Sequence, residues 1–182
     1  MSTRIEATIE DLYRVPDNRK AEIVDGEIDT LSPTGFLPGQ ASLAICISLK
    51  KIQRQAGGWA IGDNVGFLVD LPNRKSFSPD AAFYRRVPSG MKFLEGAPEF
   101  AVEIRSEHDY GAAAETAIAR KRADYFAAGT LVVWDVDLLS DDVVRVYRAA
   151  DPTVPVLYHR GESAEAEPAV PGWTMRIDEL FE

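Results

Sequence analysis

The run "AEIVDGEIDTL" sets two short apolar segments on either side of Asp25-Gly26, a pair suited to a tight primed turn, and predicts a β-hairpin. Before it, residues 7–14 ("ATIEDLYR") predict a short helix that Pro16 ends. After the loop "SPTGFLPG", residues 40–55 predict a longer helix. Ala41, Ile45, Leu49 and Ile52 share one side of it, Lys50, Lys51 and Arg54 lie elsewhere, and Gly57-Gly58 closes it. A strand over 66–71 turns at Pro72-Asn73 and returns into "FSPDAAFYR". A loop over 87–98, rich in Pro and Gly, leads to a strand over 99–105. Residues 112–128 give the clearest helical pattern, ended by Gly129. "LVVWDVD" and "VVRVYRA" around "LLSDD" predict a second hairpin, and "VPGWTMRIDELF" an edge strand with a terminal turn. Strands, a helix, then strands again imply an α/β (α+β) fold, a mixed sheet flanked by helices. With no repeat and no long linker, residues 1–182 are expected to form one domain.

Three charges break this pattern. In "FAVEIR", alternation puts Phe100, Val102 and Ile104 on one face and Ala101, Glu103 and Arg105 on the other. Glu103 and Arg105 then sit on a partly wet face or beside a site. On the helix, Ala114, Ile118, Lys121, Tyr125 and Ala128 form one stripe, with Lys121 at its middle. A lysine there either lays its stem along apolar surface or reaches over the sheet toward Glu103. Asp80 follows a proline before an apolar run, which alone is common turn chemistry. A buried charge is costly unless it is paired or binds a metal. If the strands of Asp80 and Glu103 are neighbours, the two carboxylates can share a hard cation such as Mg²⁺.

Composition narrows the setting. The 46% apolar and 27% charged content is that of a globular protein. Cys46 is the only cysteine, so neither an intrachain disulfide nor a cysteine-built zinc site is available. The charged N-terminus lacks the apolar core of a signal peptide and no apolar stretch approaches membrane-spanning length, so a cytoplasmic location is expected. The net charge of −9 argues against a nucleic-acid partner, but residues 161–182 hold six acids against Arg176. The first 160 residues carry only −4 of that total, with basic clusters at Lys50-Lys51, Arg74-Lys75, Arg85-Arg86 and Arg120-Lys121-Arg122, each expected to be a solvated face. His108 and His159 lack zinc-ligand spacing, and no glycine-rich phosphate cradle or nucleophile elbow is present.

The ordered combination "DGE…SPTGF…SPDAAF…PEFAVEIRSEHDYG…KRADYFAAGTLVVWDVD…VYR…PGWTMRIDELF" resembles the Uma (DUF820-like) family of putative restriction endonucleases, compact members of the PD-(D/E)XK nuclease superfamily. The resemblance runs from about residue 20 to the end. It implies a restriction-endonuclease-like core with N-terminal and C-terminal hairpins. It makes Pro79-Asp80 the "PD" and Glu103 the acidic residue of "(D/E)XK". The superfamily lysine would stand where this chain has Arg105; in the Uma pattern it moves to the next helix, as Lys121 followed by Tyr125. Asp80, Glu103 and the main-chain carbonyl of Ile104 would then bind the metal. Many relatives carry a histidine near Pro38, a departure here. Glu22 and Glu27 match family positions: either one of them is an outer metal ligand or, as is expected for both, they are hairpin surface charge.

These readings converge on a Mg²⁺- or Mn²⁺-dependent hydrolase acting on DNA, with Asp80 and Glu103 as metal ligands and Lys121 as charge stabiliser. Arg105 is placed to assist on the same face, and His108 is expected to be an exposed loop residue. Cutting both strands is simplest with two active sites, which a homodimer would supply. The alternatives are a binding or regulatory protein on a nuclease scaffold, and a structural domain with a buried Glu103–Lys121 ion pair.

Overall fold

The structure, a computed structural model, describes residues 6–16 and 19–182; residues 1–5, on which the signal-peptide expectation partly rests, lie outside that range. Helix α1 (Ile9–Tyr13) starts at a capping box in which Thr8 and Asp11 exchange hydrogen bonds. It leads into the hairpin β1 (Ala21–Val24) and β2 (Glu27–Thr30). Asp25 and Gly26 take φ of 50° and 75°, the left-handed pair that a primed turn needs.

Helix α2 (Phe36–Ala56) begins four residues before the expected start. Pro38 falls within its first turn, where the missing N–H has no intrahelical partner to lose. The expected loop therefore gives way to helix from Phe36, with Gly35 as its N-cap. Ala41, Ile45 and Leu49 are fully buried, as their spacing predicts.

A six-stranded mixed sheet forms the centre, in the order β11-β10-β9-β8-β6-β3. Its strands are β3 (Trp59–Ile61), β6 (Ala81–Tyr84), β8 (Phe100–Ile104), β9 (Val132–Val136), β10 (Val144–Arg148) and β11 (Asp151–Tyr158). Only β8 and β9 run parallel, joined by α3 (Ala112–Ala127); β9 and β10 form the expected hairpin. The sequence pattern missed β3 and β11. The latter is the outermost strand and carries Pro152 and Pro155, which mask a strand signal but are tolerated at an edge.

Alternation sorts side chains cleanly to the two faces of this sheet. Phe100, Val102, Ile104, Val132, Trp134 and Val136 belong to one core cluster together with α2 residues and the C-terminal segment. Ala82, Tyr84, Ala101 and Val133 belong to the other, with Tyr125 of α3. On the first face Phe100, Trp134 and Trp173 stack or pack edge-on at 5.0–5.6 Å.

Smaller sheets complete the molecule. β4 (Phe67–Leu68) pairs with β5 (Ser76–Phe77) and with β7 (Leu94–Glu95), the last inside the segment read as loop. The strand expected over 66–71 shrinks to two residues. β12 (Ser163–Glu165) pairs with β13 (Thr174–Arg176), and a 3-10 helix, Ile177–Phe181, ends the chain. The tail strand thus belongs to a separate C-terminal hairpin rather than to the edge of the main sheet. Among the described residues no helix is long and apolar enough to cross a membrane.

Candidate active site

Asp80 immediately precedes β6, and β6 pairs antiparallel with β8 through Ala81↔Val102 and Ala82↔Ala101. Extending that register by one step sets Asp80 opposite Glu103. The Asp80 N–H donates to Val102 O at 3.0 Å, and Ile104 N–H donates to Asp80 Oδ2 at 2.7 Å. From the α2 side, the Ser42 hydroxyl donates to the Asp80 carbonyl at 2.6 Å. Backbone and side chain are thus both pinned. By alternation Asp80 and Glu103 share the α3 face of the sheet.

Helix α3 covers that face, and its stripe lies where the spacing predicts: Ala114, Ile118, Lys121, Tyr125 and Ala128 are all buried or half-buried. Lys121 Nζ donates to Glu103 Oε2 at 2.9 Å, and the Tyr125 hydroxyl to Glu103 Oε1 at 2.6 Å. The Tyr125 ring stacks on Phe77 with centroids 4.0 Å apart, which fixes the hydroxyl's aim. Lys121 therefore reaches over the sheet to Glu103 rather than pointing its amine into solvent.

Behind Lys121 stands Glu22 of β1, whose Oε1 lies 2.9 Å from Nζ and also accepts Ser78 N–H at 2.8 Å. Its Oε2 accepts from Arg74 Nη1 at 2.6 Å, and Arg74 Nε donates to Asp124 at 2.9 Å. Glu22 is 4% exposed and Arg74 5%. The sequence places both at the surface; each is instead buried because the pair, with Lys121, Ser78 N–H and Asp124, satisfies their charges. Glu27, on the second strand of the hairpin, is exposed as expected.

On the opposite flank, the Lys20 ammonium bridges Asp80 Oδ1 and Asp63 Oδ1, each at 2.7 Å. Neither Lys20 nor Asp63 carries a sequence signal. Both lie in or beside loops and meet Asp80 only through tertiary folding.

The family model "Uma2: Putative restriction endonuclease" matches residues 8–178 of the chain. The chain belongs to the Uma2 family. Among solved structures, a putative nuclease belonging to DUF820 from Anabaena variabilis ATCC 29413 matches with a TM-score of 0.75 at 17% identity, over 96% of this chain and 97% of that one. This similarity establishes the shared fold. Among curated proteins none matches significantly.

Three further positions singled out in the sequence fall away from Glu103 in different ways. Arg105 stands where the resemblance would put a lysine, but its side chain is buried and its guanidinium forks onto Asp135 at 2.8 Å, with Glu115 on its other side. The expectation that it faces Glu103 is not met: its nitrogens are all engaged by Asp135 and Glu115. The cation that contacts Glu103 is Lys121, from α3. His108 is exposed in the loop after β8. Pro38 sits in the first turn of α2.

The electrostatics follow from burial against charge. Burial pushes the Lys121 amine down, but Glu103 and Glu22 outweigh it and hold the ammonium well above its ordinary range. Lys121 is thus a fixed positive charge, unsuited to accept a proton. Burial pushes Glu103 up; Lys121 opposes this, and the negative Asp80 and Glu22 reinforce it, leaving it raised. Burial also pushes Glu22 up, but Lys121 and Arg74 prevail and hold it low. Burial and the neighbouring Glu103 keep the Tyr125 hydroxyl protonated, hence a donor.

The donor set suits a hard divalent cation. Among the described residues no three His, Cys, Asp or Glu side chains form a ready-made cage. Mg²⁺ seldom uses one, and takes one or two carboxylates plus water and substrate oxygens. Among the described residues, two adjoining sets of ion pairs, Lys20 with Asp63 and Asp80, and Arg74 and Lys121 with Glu22, Glu103 and Asp124, together hold five carboxylates against three cations, an excess of two negative charges. A dication at Asp80 and Glu103 would balance that excess.

Proposed function

We propose that the chain is a divalent-metal-dependent endonuclease that hydrolyses phosphodiester bonds in DNA. In this reading Asp80, Glu103 and the main-chain carbonyl of Ile104 hold Mg²⁺ or Mn²⁺, and Lys121 stabilises charge on the scissile phosphate. The observation that carries it is the register that brings Asp80 and Glu103 side by side, with Lys121 Nζ 2.9 Å from Glu103. When bound, the ion would polarise a phosphoryl oxygen and lower the pKa of a water. Lys121, permanently charged, donates to phosphate oxygens as negative charge builds there. Tyr125 and Ile104 N–H hold the two carboxylates in place, and Glu22 with Arg74 holds Lys121 from behind. Cleavage of both strands would engage two copies of the chain.

The test is Mg²⁺-dependent cleavage of plasmid and linear DNA by wild type, Asp80→Ala and Glu103→Ala. Both variants should lose at least about a hundredfold in rate while keeping a native circular-dichroism spectrum. Wild-type activity in either would overturn the assignment. A second reading, a binding or regulatory protein on a nuclease scaffold, draws support from Lys20, whose ammonium already neutralises Asp80. Absence of any thermal-shift response to millimolar Mg²⁺ or Mn²⁺ would favour it.

A further inference from the structure

Asp80 has one oxygen, Oδ2, taken by Ile104 N–H at 2.7 Å. The other, Oδ1, is held by the Lys20 ammonium at 2.7 Å. Resting on the reading of Asp80 as a metal ligand, we infer that Lys20 is an internal competitor for the divalent ion. It neutralises Asp80 in the metal-free protein and withdraws to Asp63 alone when a metal takes its place.

Three observations support the exchange. Asp63 Oδ1 already lies 2.7 Å from the ammonium, so withdrawal keeps one of two ion pairs and needs only rotation of a flexible four-carbon stem. The Asp63 side chain is 44% exposed against 21% for Asp80, so the displaced ammonium moves toward water, where it is strongly hydrated. An ammonium and a dication on one carboxylate oxygen would repel each other strongly in a partly buried site. Lys121 has no such freedom: it is clamped between Glu22, 5% exposed, and Glu103. The two lysines therefore divide the work, Lys121 staying as a fixed charge and Lys20 leaving as the metal arrives.

The test combines two measurements. MnCl₂ is titrated calorimetrically into wild type and Lys20→Gln, and wild-type Lys20 is acetylated with and without MgCl₂ and followed by mass spectrometry. The expected results are metal binding about tenfold tighter in Lys20→Gln and Lys20 acetylation that accelerates severalfold when metal is added. Equal affinities, or acetylation of Lys20 that is unchanged or slowed by metal, would overturn the competition while leaving the metal-dependent reading intact. No binding heat in either protein at millimolar metal would overturn both.

Discussion

Tyr125 directs its hydroxyl at one oxygen of Glu103 while its ring rests on Phe77. Tyr125→Phe keeps the stack and removes the donor. Cleavage should fall about 10- to 100-fold, as for other groups that orient a ligand, with the melting temperature changed by only a few degrees. Glu22 acts one layer further back. Its folded pKa is held below its ordinary 4.5 by Lys121 and Arg74. The stability it contributes is therefore complete above that pH and disappears as pH falls through the lower folded value. Glu22→Gln should cost about 3 kcal/mol at neutral pH, because Arg74 and Lys121 lose their charged partner. It should also flatten the acid side of the stability curve, measured by urea unfolding across the acid range.

Much of the fold was legible at the level of elements, because period-two and helical patterns are local. β8 sends Phe100, Val102 and Ile104 one way and Ala101 and Glu103 the other, and α3 turns the Lys121–Tyr125 stripe onto the second set. Asp80 became readable only in the company of Glu103. What stayed hidden depends on distant partners. Glu22 reads as a hairpin charge until Arg74, 52 positions away, reaches it. Lys20 and Asp80 meet across 60 positions. β7 is two residues long, too short for any periodicity. Gly58, read only as a helix stop, has a second role: a Cβ there would lie 2.4 Å from the Phe83 ring and 2.9 Å from Tyr84 O. Gly58→Ala should therefore cost about 1–3 kcal/mol by overpacking where α2 returns to the sheet, seen as a lowered urea midpoint.

Across the whole molecule, the sheet separates two tasks. One face, under α2 and the C-terminal segment, is continuous apolar core; the other gathers the charges beneath α3 and the N-terminal hairpin. A ligand that binds only the folded protein stabilises it by about 2.7 kcal/mol at a hundred times its Kd. MgCl₂ should accordingly raise the melting temperature of wild type by several degrees and leave Asp80→Ala unmoved, a difference that scanning calorimetry reads directly.

At one edge of the main sheet, β11 leaves Val154 63% and Val156 45% exposed, yet prolines interrupt it at 152 and 155. Those imino acids offer no amide hydrogen to a neighbour, so a second molecule aligning its own backbone there would find gaps in the ladder. The greasy rim is thereby protected from runaway fibre-like stacking. Refilling one gap with Pro155→Val should make light scattering rise with concentration where the parent solution stays clear.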